Sequence, residues 1–197
     1  MLIKQIDGIP VVLGSQSPRR KELLANLGID FQVIVRETDE EFNPQQSPDD
    51  IVRSIALKKL AAFHDDLFVD SLVITADTVV VHDGQILGKP KDIDEAVATL
   101  RKLQGTAHDV LTAVAMGYQG KIHSFVERTG VCFYPIHEDE ILDYVERFLP
   151  LDKAGSYGIQ EWIGLIGVKA LQGSYENVVG LPTARLYQEL KVIIASA

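Results

Sequence analysis

Apolar and polar positions change period several times along the chain, and each change marks an element. Val11, Val12 and Leu13 make a short β-forming run, and the small residues from Gly14 to Ser17 turn it. Ser17 stands where an N-cap belongs, Pro18 at a first helical position and Gly28 at the stop, so 18–28 reads as a helix. "FQVIV" (31–35) reads as a second strand, and "SPDDIVRSIALKKLAAF" (47–63) as a helix capped by Ser47 with acids in its first turn. "SLVITADTVVVHDGQIL" (71–87) is a long apolar strand closing in a hairpin at Asp83–Gly84. A helix over 92–105 follows, then two long strands over 108–136 joined at Gln119–Gly120, and a helix over 138–150 stopped by Pro150. "LIGVKALQGSY" (165–175) reads as strand, and "PTARLYQELKVIIA" (182–195) as a closing helix.

Strands that alternate with helices around a central hairpin predict an α/β protein: a mixed sheet flanked by helices. With no linker, repeat or low-complexity segment, residues 1–197 read as one domain, with room for two lobes and a central cleft.

Composition narrows the function classes. The chain is 46% hydrophobic and 24% charged, as in ordinary globular proteins, and its apolar runs are strand-sized, which predicts no membrane span. The apolar stretch near the start is broken by Asp7, Gly8 and Pro10, unlike a signal peptide. Cys132 is the single cysteine, so no internal disulfide and no cysteine zinc site is expected, and the cytoplasm is the predicted home. A net charge of −9 argues against a nucleic-acid partner, but a small anionic ligand answers to local charge over roughly one 8 Å Debye length.

Five stretches carry candidate chemistry. Arg19 and Arg20 sit at a helix N-terminus, where the dipole disfavours cations; they are either a solvated surface pair or a seat for an anion. Asp77 and Thr78 interrupt an apolar strand, and a carboxylate placed there needs a neighbouring donor, a metal or a catalytic use. "RETDEEF" (36–42) is either solvated loop or, together with Asp77, a source of carboxylate oxygens for Mg²⁺, which takes one or two of them and fills its shell with water and phosphates. "LGKPKD" (87–92) and "PLDKAGSYGIQ" (150–160) are lysine-bearing turns, the second ending in Gln160. No Walker motif, no G-x-G-x-x-G after a strand, no H-E-x-x-H and no G-x-S-x-G occurs. The five histidines read as solvated or structural, and Tyr157 and Trp162 as packing aromatics that could also stack on a base.

The stretches "SQSPRRKELL" (15–24), "ADTVV" (76–80), "GKP" (88–90), "DKAGSYGIQ" (152–160) and "GSYENVVGLP" (173–182) resemble, in order and spacing, the Maf family of nucleoside triphosphate pyrophosphatases. The resemblance spans nearly the whole chain. It implies a fold related to the inosine triphosphate pyrophosphatases, a divalent metal (Mg or Mn), cytoplasmic location and, in many members, a homodimer. On the matching positions it makes Asp77 the proton acceptor, with Glu40, Lys59 and Lys89 as further catalytic residues. It places Ser15, Arg19, Arg20, Thr78 and Gln160 at the substrate, and Glu40 and Asp77 at the metal. The arginine turn, the A-D-T motif and the G-I-Q ending look like the subgroup that cleaves dTTP and UTP to the monophosphate and pyrophosphate. The sequence itself does not separate an Asp77 that takes the water's proton from one that holds the metal. A nucleotide-binding regulator of cell division and septum formation is the alternative reading.

Overall fold

The computed structural model describes residues 6–39, 41–43, 45–63 and 69–195. Its elements run β1 (Val11–Leu13), α1 (Pro18–Asn26), β2 (Gln32–Val33), α2 (Pro48–Ala61), β3 (Leu72–His82), β4 (Gln85–Leu87), α3 (Ile93–Leu103), β5 (Ala107–Tyr118), β6 (Lys121–Phe133), α4 (Glu138–Phe148), a 3-10 turn (Ala154–Ser156), α5 (Trp162–Gly167), β7 (Val168–Gln172), α6 (Tyr175–Val179) and α7 (Thr183–Ala195). The strands form a mixed sheet of order β2-β1-β3-β5-β6-β7, with β4 paired to β3. β1 runs parallel to β2 and β3, with Val12 opposite Gln32 and Val73. β4 is antiparallel to β3, and β7 to β6.

Local chemistry sets most boundaries. The side chains of Ser17, Ser47 and Asp92 accept from the backbone N–H of Arg20, Asp50 and Glu95, capping α1, α2 and α3. Asp83–Gly84 and Gln119–Gly120 each hold two consecutive positive φ angles, the twist a tight two-residue hairpin needs. "LIGVKALQGSY" departs from the strand reading: α5 takes its first residues, and only Val168–Gln172 is strand. The run is apolar without a period, and helix and strand are then indistinguishable in sequence. Likewise only Gln32 and Val33 of 31–35 pair as strand.

The chain forms two compact units: Met1–Asp77, Thr112–Glu127 and Gly180–Ala197; and Thr78–Leu111 with Arg128–Val179. The first has a core of Val11, Leu13, Leu24, Leu72, Ile74, Val114, Met116, Phe125, Leu186 and Leu190. Thr75 is fully buried there and donates to Ala56 O at 2.9 Å, fastening β3 to α2. In the second, α3 and α4 pack together and bury Val97, Leu100, Ile141 and Val145. No helix among the described residues is long and apolar enough to cross a membrane.

Candidate active site

Asp77 ends the first unit's share of β3, and Thr78 begins the second's. Both are half-buried in a strand otherwise almost wholly buried, as the interruption of the apolar run implied. A carboxylate withdrawn from water needs a partner, and Lys59 supplies it. Its Nζ donates to Asp77 Oδ1 at 2.7 Å, with 17% and 14% of the two side chains exposed. Lys59 lies in the last turn of α2, where the helix dipole favours a cation.

Beside the turn after β1, Arg20 finds acceptors although it sits at a helix N-terminus. Arg20 points back from α1, its Nε donating to Gly180 O at 2.8 Å and its Nη1 to Ala76 O at 2.8 Å and Ser15 Oγ at 3.3 Å. Oxygen acceptors, two of them backbone carbonyls, therefore compensate the charge that the dipole disfavours. Ser15 is itself buried and accepts from Ser17 N at 3.3 Å. Arg20 thus ties the turn of residues 14–17 to β3 one residue before Asp77, and to the segment entering α7. Arg19 is half-buried beside it. Ser15, Arg20, Lys59 and Asp77 are brought together in this unit.

In the second unit Lys89 is exposed on the turn after β4, and Gln160 is exposed at the end of the loop 153–160. Gly155 N donates to Gly88 O at 3.1 Å, so the Lys89 turn and the Gln160 loop are joined by backbone. Glu40 lies outside the described residues, as does His64. Among the described residues no group of three or more His, Cys, Asp or Glu forms a metal-binding cluster.

Sequence reasoning passed over one network here. Tyr144 of α4, fully buried, donates to Glu161 Oε2 and accepts from Gly158 N at 3.0 Å; Lys153 Nζ lies 3.1 Å from Glu161 Oε1 and 2.7 Å from Asp152 Oδ1. Burial, reinforced by Glu161, pushes the Tyr144 phenol up, so it stays a donor. Tyr144 on the apolar face of an amphipathic helix was the available signal, since a buried phenol needs a hydrogen-bond partner. Tyr157 and His108 belong to the core: His108 Nε2 lies 2.8 Å from the Tyr157 hydroxyl, and Phe133 packs edge-on against both rings.

Residues 10–193 match the family described as Maf-like protein. The chain belongs to the Maf family. Among its relatives are the dTTP/UTP pyrophosphatases of Bacteroides fragilis, 44% identical over 96% of this chain and 99% of the relative, and of Bacillus cytotoxicus, 48% identical over 91% and 93%. The solved structure of the Staphylococcus aureus Ham1 protein aligns over 91% of this chain and 99% of its own with 17% identity and a TM-score of 0.49, too distant to add to the fold described above. In this Maf protein the family's motifs fall in both compact units.

Proposed function

We propose that this chain hydrolyses dTTP and UTP to the monophosphate and pyrophosphate. The observation that carries the reading is the Lys59–Asp77 pair on a strand that is otherwise core, one residue from a carbonyl held by Arg20. Curated relatives of 41–48% identity, named dTTP/UTP pyrophosphatase, support it.

The chemistry is governed by charge, because water attacking the α-phosphorus approaches an anion. Asp77 takes the water's proton, and Lys59 fixes the carboxylate that receives it. Lys89 offers positive charge to the phosphates and to the pyrophosphate leaving group. Arg20 shapes the turn that receives them. A divalent ion, Mg²⁺ or Mn²⁺, fits this donor set: Asp77 offers hard carboxylate oxygen, with Glu40 as the second candidate ligand, and an ion arriving on a triphosphate needs no larger protein cage. When bound, it neutralises phosphate charge. Gln160 both donates and accepts hydrogen bonds, as the N3–H and carbonyl edge of thymine or uracil requires, whereas Arg19 only donates. Thr78 adds a hydroxyl beside Asp77.

Among free nucleotides this enzyme belongs in the cytoplasm, and the family's tendency to pair makes a homodimer part of the proposal, readable by sedimentation. A regulator of cell division that only binds nucleotide is not favoured, because binding alone calls for neither Asp77 nor its lysine. Pyrophosphate release from dTTP, UTP, CTP, ATP, GTP and 7-methyl-GTP with Mg²⁺ tests the reading. dTTP and UTP should be cleaved best. Release from none of the six overturns the enzyme, and a preferred purine overturns the substrate class.

A further inference from the structure

We infer that Glu161 is a positioning residue, held by Tyr144 and Lys153 so that the loop 153–160 presents Gln160, and with it the Lys89 turn, in one fixed arrangement. This inference rests on the proposed role of Gln160 at the pyrimidine base.

Glu161 occupies the N-cap position of α5, and its main-chain oxygen accepts from Gly164 N at 2.9 Å. Its side chain makes no capping bond to the helix it begins. The carboxylate turns away to Tyr144 and Lys153. Lys153 is only 8% exposed and has a carboxylate on each side, Asp152 and Glu161, so its charge is already matched. It is therefore poorly suited to a phosphate and well suited to fixing a neighbour. A largely buried ion pair seldom outperforms apolar packing in stability, and what it contributes instead is a defined geometry.

The loop between these anchors has little freedom. The Gly158 N–H is held by the Tyr144 hydroxyl, and a Cβ on Gly158 would lie 2.7 Å from Glu161 Cδ. Gly155 adopts φ +70°, and a Cβ there would lie 2.7 Å from Val80 Cγ2, so this segment rests directly on β3. Ile159 is buried. Gln160 is thus an exposed side chain between a buried neighbour and a doubly bonded one, in a loop whose Gly155 also holds the Lys89 turn through Gly88.

A loop held this way aligns an amide before the base arrives, which favours a matching edge over a mismatched one. Loosening it should therefore weaken discrimination more than turnover. In Glu161→Gln and Tyr144→Phe, KM for dTTP should rise by roughly tenfold, and the kcat/KM ratio of dTTP over CTP should fall by a similar factor. The kcat for dTTP should change less than about threefold, and Lys153→Arg, which keeps the cation, should retain most of the discrimination. Melting curves confirm that each variant is folded, and Tyr144→Phe, which removes one oxygen, carries the test if Glu161→Gln does not fold. Folded variants with wild-type KM and an unchanged dTTP/CTP ratio overturn the inference, as does an equal loss of kcat on both nucleotides. Either result leaves wild-type dTTP hydrolysis standing, whereas a wild-type protein inactive on dTTP removes the reading beneath it.

Discussion

Arg20→Met tests whether this arginine is a brace. Methionine keeps the aliphatic stem and removes the three donated bonds to Gly180 O, Ala76 O and Ser15 Oγ. The two bonds at 2.8 Å carry the effect, because the Ser15 contact at 3.3 Å is long. A hydrogen bond from a charged donor contributes ~1.5–3 kcal/mol; half exposure lets water replace part of it, so the total loss should be about 2–4 kcal/mol. In a chain of this size that lowers the melting midpoint by roughly 5–15 °C. Urea unfolding gives the loss directly, with a lower midpoint and an unchanged slope. Arg20→Lys should recover less than half, because a single ammonium cannot reproduce a guanidinium fork aimed at carbonyls on two segments. A Met variant that loses under ~1 kcal/mol yet no longer binds nucleotide would refute the brace and make Arg20 a direct phosphate ligand.

Chelation with EDTA should abolish hydrolysis while leaving the melting curve in place, and undiminished hydrolysis in excess chelator would contradict the metal proposal. Gln160→Ala should cut kcat/KM for dTTP by about 10–100-fold with a smaller effect on ATP, read in parallel steady-state assays. Burial, with His82 nearby, pushes the His108 ring down to about 4. The unfolded chain therefore takes up a proton near pH 6.5 that the folded chain refuses, so stability falls as pH drops from about 6.5 to 4, by roughly 3 kcal/mol. His108→Gln should flatten that limb of a urea-midpoint profile against pH, and an unchanged limb would count against the assignment.

Where turn and cap chemistry is local, the chain is legible. Asp83–Gly84 and Gln119–Gly120 mark the hairpins, and Ser17, Ser47 and Asp92 mark helix starts, because each acts on its own backbone within three residues. α5 carries no local start signal, because its N-cap is Glu161 rather than Ser, Thr, Asp or Asn, and the apolar residues after it carry no period. Asp77 stood out as a charge in an apolar strand. Its lysine is 18 residues upstream, on a helix whose contact with β3 no local pattern reports, and the family resemblance alone pointed to it. The acceptors of Arg20 were out of reach for a simpler reason: two are main-chain oxygens, identical at every position.

The central claim is that water attacks the α-phosphorus of dTTP with Asp77 as its proton acceptor. The direct measurement is single-turnover hydrolysis of dTTP in ¹⁸O-water by the wild-type protein and by Asp77→Asn, with mass analysis of both products. The account predicts label in dTMP, unlabelled pyrophosphate, and a rate ~10²–10⁴-fold lower in an Asn variant that melts like the wild type. Label in pyrophosphate, release of orthophosphate, or near wild-type turnover by the Asn variant would contradict it.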